Sequence, residues 1–413
     1  MLSVSKAQEI LLAHFDPLGA ESIPVERALN RVLCHPIYAV FDMPPFNNSS
    51  MDGFAVRSTD TYRARKNHPI HLNVVGDIPA GHKPDVIINR GEAARIVTGA
   101  MVPDGADAII PVENTGLEIM EPGSLPPDKI TISSQVGEGE NVRNSGDDIG
   151  KGELLIKSNR RLRPQDIGVI TMQGIANLNV YRQPKVGLLS TGDELLNPGE
   201  SWKPGKVYDS NSYTLEALCC QNGSHCISFG PSPDTEDSIR SHLQMAVQES
   251  VDLIITTAGV SLGAFDYVRN VLEKEGELRF WRVNMRPGKP MLFGNYGGIP
   301  LIGLPGNPVS AFIGFVVFVI PVLYKLSGRG IPIRHSLIAR LLEPIESDGR
   351  ESYLRAIVSR KKNDYCVKLT GHQGSGNLMS LVHANALIKI PAGVIHMPAG
   401  SEVEVWLFED NLG

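Results

Sequence analysis

The sequence predicts a multidomain α/β plus β protein. A central, mostly parallel α/β sandwich module is joined by a small inserted β domain, a discontinuous N-terminal helical domain and a C-terminal β-barrel-like domain. Three observations carry this expectation. From residue 185 to about 328, apolar runs of strand length alternate with helix-spaced segments, the pattern of right-handed βαβ units covered on both faces. From about 54 to 142, and again after 329, short β-rich runs are divided by Gly, Pro and Asp. And 413 residues exceed what one core organises, so roughly two to four domains are expected.

Taken in order, residues 3–33 read as two helices, the first with an apolar stripe of Ile10, Leu11, Leu12 and Phe15, the second of Val25, Ala28, Leu29, Val32 and Leu33. The stretch 42–54 holds two prolines, polar turn formers and Asp52-Gly53, so it is an ordered loop of the kind that often carries function. Runs at 72–75, 94–98, 108–112 and 129–132 form a small all-β unit. Helical spacing returns at 164–174, with Gly174 as its stop. The expected division is 1–40 with 142–178, the insert 41–141, the central module 179–328 and the C-terminal domain 329–413.

Within the central module, strands are expected at 186–189, 225–229, 253–257, 278–283 and 301–304, and helices at 211–221, 235–250, 265–274 and 307–326. The segment 309–324 is almost wholly apolar. It falls short of the ~20 residues needed to span a bilayer and contains Pro321, so it reads as a buried helix, capped by Asn307 with Pro308 at its first position. Runs at 336–342, 353–358, 365–369, 387–390 and 403–407 complete the last domain.

Charge and cysteine usage narrow the function. A net charge of −6 and a pI near 6.0 argue against nucleic-acid binding, which needs a basic face. Cys34, Cys219, Cys220, Cys226 and Cys366 show neither a C-x-x-C pair nor zinc spacing and suit a reducing cytosol. The first residues lack a basic stretch followed by an apolar core, so no signal peptide, no membrane association and a cytoplasmic location are expected.

Chemistry is expected where the central strands end, since ligands of open α/β sheets bind at the carboxyl ends of the strands. The first strand runs into Ser190-Thr-Gly-Asp-Glu194, in which Asp193 and Glu194 either cap the next segment or serve a metal or acid/base site. Gly230-Pro-Ser-Pro-Asp234 follows the second strand, Thr256-Thr-Ala-Gly-Val-Ser-Leu-Gly-Ala-Phe-Asp266 the third, and Gly303-Leu-Pro-Gly-Asn-Pro308 the last. Any one of these is an ordinary turn; together they place Glu194, Asp234 and Asp266 along one sheet edge. Arg282 and Arg286 are expected on the same side of one strand with Lys289 just beyond, although surface ion pairing is the usual fate of an arginine. Carboxylates beside cations point to a divalent metal, Mg²⁺ by its hard oxygen ligands, and an anionic substrate.

Asn48-Ser-Ser-Met-Asp-Gly-Phe-Ala-Val56, Ile96-Val-Thr-Gly-Ala100, Ser190-Thr-Gly-Asp-Glu-Leu195, Arg286-Pro-Gly-Lys-Pro290 and Gly303-Leu-Pro-Gly-Asn-Pro-Val-Ser310 resemble, in order and over most of the chain, the motif set of the molybdopterin molybdenumtransferases, the MoeA family that includes the gephyrin E domain. The resemblance implies a central module of the molybdopterin-binding type and an elongated homodimer of four-domain subunits. It also implies the last step of molybdenum cofactor synthesis: Mg²⁺-dependent insertion of molybdate, or tungstate, into adenylated molybdopterin with release of AMP. Transient contact with the molybdopterin adenylyltransferase and with apo-molybdoenzymes would follow. Motif by motif, it implies catalytic roles for Asp52, Thr98, Glu194, Asp234 and Asp266, with metal binding by the last three. It implies substrate or oxyanion binding by Arg143, Asp148, Ser261, Arg282, Arg286, Lys289, Pro305 and Pro308. In this arrangement the inserted β unit of one subunit covers the sheet edge of the other.

Two positions depart from the family pattern. Ala258 stands where many relatives have glycine, so a positive φ there would be strained. Arg286 replaces a common lysine, keeping the charge and changing its geometry. Plainer readings exist elsewhere: Asp52-Gly53 as a hairpin turn, Thr98-Gly99 as a strand terminator, His372 as structural, and Cys219 and Cys220 as core or near-core residues. Two other functions compete. An adenylyltransferase would lack the flanking domains and usually has Gly-Thr-Gly where this chain has Ala258-Gly-Val-Ser261. A scaffold would call for a long linker or second module, and neither is evident.

Overall fold

In the computed structural model, which describes residues 1–117, 123–258, 267–330, 336–361 and 364–408, the chain opens with a helix, α1 (Val4–Leu12). Ser3 caps it, its hydroxyl accepting from the Lys6 amide at 3.2 Å. The second helix expected before residue 33 does not form. Ala20–Pro24 is a strand paired antiparallel with Asn177–Tyr181, and Val25–Arg27 is a single 3₁₀ turn. The apolar spacing there serves burial without a helix, because Asn30 at φ +65° turns the chain out of helical geometry. The helix expected at 164–174 is present at Pro164–Met172, and Gly174 follows it at φ +69°.

By contacts the chain divides into two units, one of Met1–His35, Asn159–Ile167 and Ala176–Gly413, the other of Pro36–Ser158 and Gly168–Ile175. The first contains a six-stranded sheet built from β1 (Lys185–Thr191), β2 (His225–Ser232), β3 (Leu253–Thr257), β4 (Glu277–Arg282), β5 (Pro290–Tyr296) and β6 (Ile299–Leu304). Their order is β2-β1-β3-β6-β5-β4, with β2, β1, β3 and β6 mutually parallel and β5 antiparallel to both neighbours. Strand β5 lies between the strands expected at 278–283 and 301–304, where the sequence predicts no further strand.

Four helices, α2 (Ser210–Gln221), α3 (Glu236–Gln248), α4 (Tyr267–Glu275) and α5 (Pro308–Leu326), cover the sheet with α1. Alternation along the strands sorts them. Val186 and Leu188 of β1 and Leu253 and Ile255 of β3 face a core shared with α1, α2 and α5. Leu189 and Ile254 face a second core shared with α3 and α4. Burial on both faces explains why these strands read as continuous apolar runs.

Helix α5 passes the length and composition test for a membrane span, yet 78% of its apolar window is buried inside the fold. Its middle, Phe315–Val319, is a π-helical turn. Pro321 has no amide to donate back to Val317, and the Gln8 amide of α1 fills that vacancy, donating to the Val317 carbonyl at 2.8 Å. Lys325 returns the contact, donating to the Leu12 carbonyl at 2.8 Å.

After α5 the strands Ser336–Leu341, Glu351–Lys361, Asp364–Leu369, Ala386–Ile390 and Glu402–Leu407 close into a five-stranded barrel, so each strand has two partners and no edge is left open. A two-residue strand, Met285–Arg286, leaves the α/β module and joins the barrel in parallel, Met285 opposite Glu351 and Arg286 opposite Ser352.

The other unit holds a five-stranded sheet in the order Ala108–Pro111, Gly53–Val56, Glu92–Ile96, Ile70–Ile78 and Lys129–Ile132, matching the four expected β runs. Gly53 opens its strand where a Cβ would lie 1.9 Å from the Ile110 carbonyl oxygen, so the position requires glycine. Asp52-Gly53 is therefore a strand entry and not a hairpin turn.

Candidate functional site

Strands β2, β1, β3 and β6 are neighbours and parallel, so their carboxyl ends and following loops line one edge. At the end of β1, Gly192 takes φ +153° and the Glu194 carboxylate folds against it, where a Cβ would come within 2.6 Å of Oε2. The Asp234 amide, beyond β2, donates to Asp193 Oδ1 at 3.2 Å. Burial, followed by the charges of Glu194 and Asp193, raises the Asp234 carboxyl above its ordinary value. These three carboxylates thus share one field. Among the described residues no group of three or more His, Cys, Asp or Glu is close enough to hold a metal ion. Asp266 and Ser261 lie outside the described residues.

A buried carboxylate places α2 against β1. Asp209 accepts from the Ser190 hydroxyl at 2.7 Å and from the Ser212 hydroxyl at 2.6 Å, and caps α2 through the Ser212 amide at 3.1 Å. Asn211 then reaches across the edge to the Gly306 carbonyl at 2.7 Å. Ala258, after β3, adopts φ +69°, the strained conformation anticipated from its departure from glycine. Its amide donates to the Leu304 carbonyl at 3.1 Å, and its Cβ faces Gly306, where a second Cβ would approach to 3.1 Å.

Beside this edge, between the α/β module and the barrel, lies a cavity of about 360 Å³. Arg286, Lys289, Pro305, Asn307 and Ser310 line it from the module, and Arg350, Arg355, Gln373 and Ser375 from the barrel. Among the described residues, four cations and no carboxylate line it. Asp348 pairs with Arg350 and lies 3.8 Å from Arg286, and the Arg350 hydrogen bond holds its carboxyl low. Arg355 is fully buried, donating from Nε to the Ser380 hydroxyl and from its terminal nitrogen to the Gly374 carbonyl, each at 3.0 Å. Among the described residues it has no carboxylate partner. Burial, with the charge of Arg286, pushes its pKa down to about 10, which leaves it protonated at neutral pH.

Two sequence expectations need correction. Arg282 and Arg286 do not share a strand: Arg282 ends β4, while Arg286 belongs to the two-residue strand that joins the barrel. Arg282 stacks on Trp281 at 3.9 Å from the ring centroid and is absent from the cavity wall. Asn307 occupies the N-cap position of α5 without a side-chain cap bond, and Pro308 sits at the first turn as expected. The barrel supplies a partner instead, the Ser375 carbonyl accepting from the Val309 amide at 3.1 Å.

Sequence reasoning missed Arg350, Arg355, Gln373 and Ser375. Arg355 had a signal, as a lone charge inside the apolar run Tyr353–Val358. In the loop 371–375, His372 accepts from the Gly374 amide at 3.3 Å. Cys219 is buried and Cys220 exposed.

The remaining site residues lie in the other unit and fall into two pairs. Asp52 accepts from the Thr98 amide at 2.7 Å and the Thr98 hydroxyl at 2.8 Å, and these bonds hold its carboxyl below the ordinary value. Arg143, on a short strand opposite Asn48, pairs with Asp148 at 2.8 Å, both half exposed.

This combination defines a multidomain α/β-plus-β enzyme whose polar site sits at the carboxyl edge of a mostly parallel sheet. Residues 2–174 match the MoeA N-terminal region (domain I and II), 187–325 a probable molybdopterin binding domain, and 339–408 the MoeA C-terminal region (domain IV). The chain is 34% identical to the molybdopterin molybdenumtransferase of Haemophilus influenzae over 100% of both chains. It is equally similar, at 34%, to molybdopterin molybdenumtransferase 2 of Mycobacterium tuberculosis, over 98% of this chain and 99% of the relative. Its structure resembles the crystal structure of the molybdopterin biosynthesis MoeA protein from Pyrococcus horikoshii, with a TM-score of 0.83, 33% identity and 100% of each chain covered. The chain belongs to the MoeA family of molybdopterin molybdenumtransferases and is a transferase of molybdenum cofactor biosynthesis.

Proposed function

We propose that the protein inserts molybdenum, supplied as molybdate, into adenylated molybdopterin and releases AMP. The observation that carries this reading is Arg355. Burying a guanidinium without a carboxylate costs several kcal/mol unless an anion completes the site, and Arg286 and Lys289 converge on the same cavity. Four cations in about 360 Å³ suit a small tetrahedral oxyanion, held by fork-shaped guanidinium donors.

The cation expected with this chemistry is Mg²⁺. Glu194 and Asp234 would hold it, with Asp266 as the third ligand implied by the family resemblance. Their chemistry fits: the oxygens are hard carboxylate donors, and Asp234, raised by burial and then by the Glu194 charge, would be relieved by a divalent ion. When bound, the ion neutralises charge on the phosphate oxygens of the adenylated substrate. The protein's own residues do the rest. Asp209 and Asn211 fix the edge between acidic turn and cavity, and Arg286 and Arg355 hold the oxyanion beside it.

The direct test incubates purified protein with adenylated molybdopterin, Mg²⁺ and either molybdate or tungstate, and follows AMP. Release that depends on the oxyanion is expected; release indifferent to it overturns the reading. We further propose a cytoplasmic homodimer whose sites are shared, with Asp52, Thr98, Arg143 and Asp148 serving the partner's sheet edge. Inactive Asp52→Ala and Glu194→Ala chains should then complement, random mixing restoring roughly a quarter of wild-type activity because one site of each mixed dimer carries both defects and the other neither. Activity fixed at single-mutant level in a sample shown to contain mixed dimers rejects the shared site.

A further inference from the structure

The arm that follows the acidic turn is unusual for what it exposes. Leu195–Leu196 pairs in parallel with Val207–Tyr208, and the intervening loop is tied by polar bonds. Val207 donates its amide to the Glu194 carbonyl at 2.9 Å, Asp209 to the Leu196 carbonyl at 2.9 Å, and Lys206 to the Asp193 carbonyl. The Tyr208 hydroxyl reaches back to the Glu200 carbonyl at 2.9 Å. This ordered arm and the first turn of α2 leave Trp202 63%, Tyr208 44% and Tyr213 53% exposed. In this unit, among the described residues, no other large aromatic side chain is so exposed. The bonds tie both ends of the arm, and Trp202 lies between them with most of its ring in water, a flat apolar face available for stacking.

Its position says which ring it takes. The arm grows from Asp193 and Glu194, while the oxyanion cavity lies beyond Asn211 and Gly306. If the substrate proposed above sets its dithiolene at the cavity and its linked phosphates at the acidic turn, the far end emerges on the arm. We propose that Trp202, supported by Tyr208, stacks on the adenine ring of the adenylated substrate and of the AMP product. This rests on the proposed reaction and adds a specificity residue to it.

The test titrates the full-length protein with AMP in Mg²⁺, reading tryptophan emission and calorimetric heat, with ribose 5-phosphate as the ring-free control. AMP should alter Trp202 emission. Trp202→Ala should weaken AMP by roughly tenfold, the loss of one stacked base. Trp202→Phe should restore most of the affinity, and ribose 5-phosphate should bind all three proteins alike. Unchanged AMP affinity in Trp202→Ala overturns the assignment. So does a soluble pterin that moves Trp202 emission when AMP does not, or a Trp202→Ala protein whose sedimentation changes while AMP binding does not. The reaction itself is judged separately. If oxyanion-dependent AMP release proceeds and Trp202→Ala keeps the wild-type KM for adenylated substrate, only the arm's role falls. If release never occurs, both fall.

Discussion

The two units handle their charged site residues in opposite ways. In the unit containing Asp52, each charge is answered locally: Thr98 donates twice to Asp52, which lowers its carboxyl, and Arg143 meets Asp148. In the unit containing the α/β sheet, like charges are pressed together. Asp234 is raised by burial and then by the charges of Glu194 and Asp193, and Arg355 is lowered by burial beside Arg286. Satisfied groups shape a surface, whereas frustrated ones store a preference for a ligand of opposite sign. On the proposed reaction, the difference would put metal and oxyanion at the sheet edge and give Asp52 and Thr98 a positioning part.

The largest test of that contrast is Glu194→Gln. The amide keeps the shape against Gly192 and removes the charge a cation needs, so AMP release should fall by about a hundredfold or more while thermal unfolding is little changed. Near wild-type turnover with ordinary Mg²⁺ dependence would remove the acidic turn from the reaction.

Next come the cavity arginines. Arg286→Ala and Arg355→Met should each raise the half-saturating molybdate concentration by roughly 10- to 100-fold, as loss of a charge-assisted hydrogen bond does. Binding of the adenylated pterin should change less. Arg355→Met should also leave stability equal or higher, since a buried lone charge gives way to an apolar chain. Equal loss for both ligands, or a large drop in Tm, would recast Arg355 as structural.

A pH effect sharpens the comparison further. A carboxyl raised on folding makes the native state bind the extra proton between the ordinary and the raised pKa, so stability falls as pH rises through that window. Asp234→Asn should therefore gain slightly in Tm over wild type at pH 7 and lose that advantage below the ordinary carboxylate range. Asp52→Asn should show the reverse sign, because the lowered Asp52 carboxyl contributes stability above its ordinary value and loses it as pH falls. Melting curves of both variants across pH would show whether the units differ as described.

The smallest effect is expected from Ala258→Gly. An alanine at φ +69° carries about 1 kcal/mol of strain, partly offset by the extra freedom glycine gains when unfolded. A Tm higher by a few degrees at most is expected, and a lower Tm would show that the Ala258 contact with Gly306 outweighs the strain.

The sheet was legible because strands buried on both faces write themselves as apolar runs, and its loops because turns need Gly, Pro and Asp at fixed places. Ala258 was legible only through the family resemblance, as an alanine where many relatives have glycine. Strand β5 was hidden because it runs antiparallel among βαβ units and follows directly on a Pro-Gly-Lys-Pro turn. The missing second helix was hidden because periodicity does not reveal the positive φ of Asn30. Arg355 and Ser375 were hidden for a different reason. The cavity joins residues about 40 to 90 positions apart, and one sequence carries no record of which barrel strand meets which loop.

The short strand Met285–Arg286 makes that meeting permanent. Because its backbone pairs with Glu351 and Ser352, Arg286 of the module and Arg350 of the barrel are carried to the same cavity by one ladder. Among the described residues, an anion arriving there meets a wall already joined by backbone hydrogen bonds, so that part of the ordering entropy is settled at folding and not at each turnover. Such a frame discriminates by charge more than by radius: four cations favour an anion, while about 360 Å³ leaves room around a single tetrahedral oxyanion.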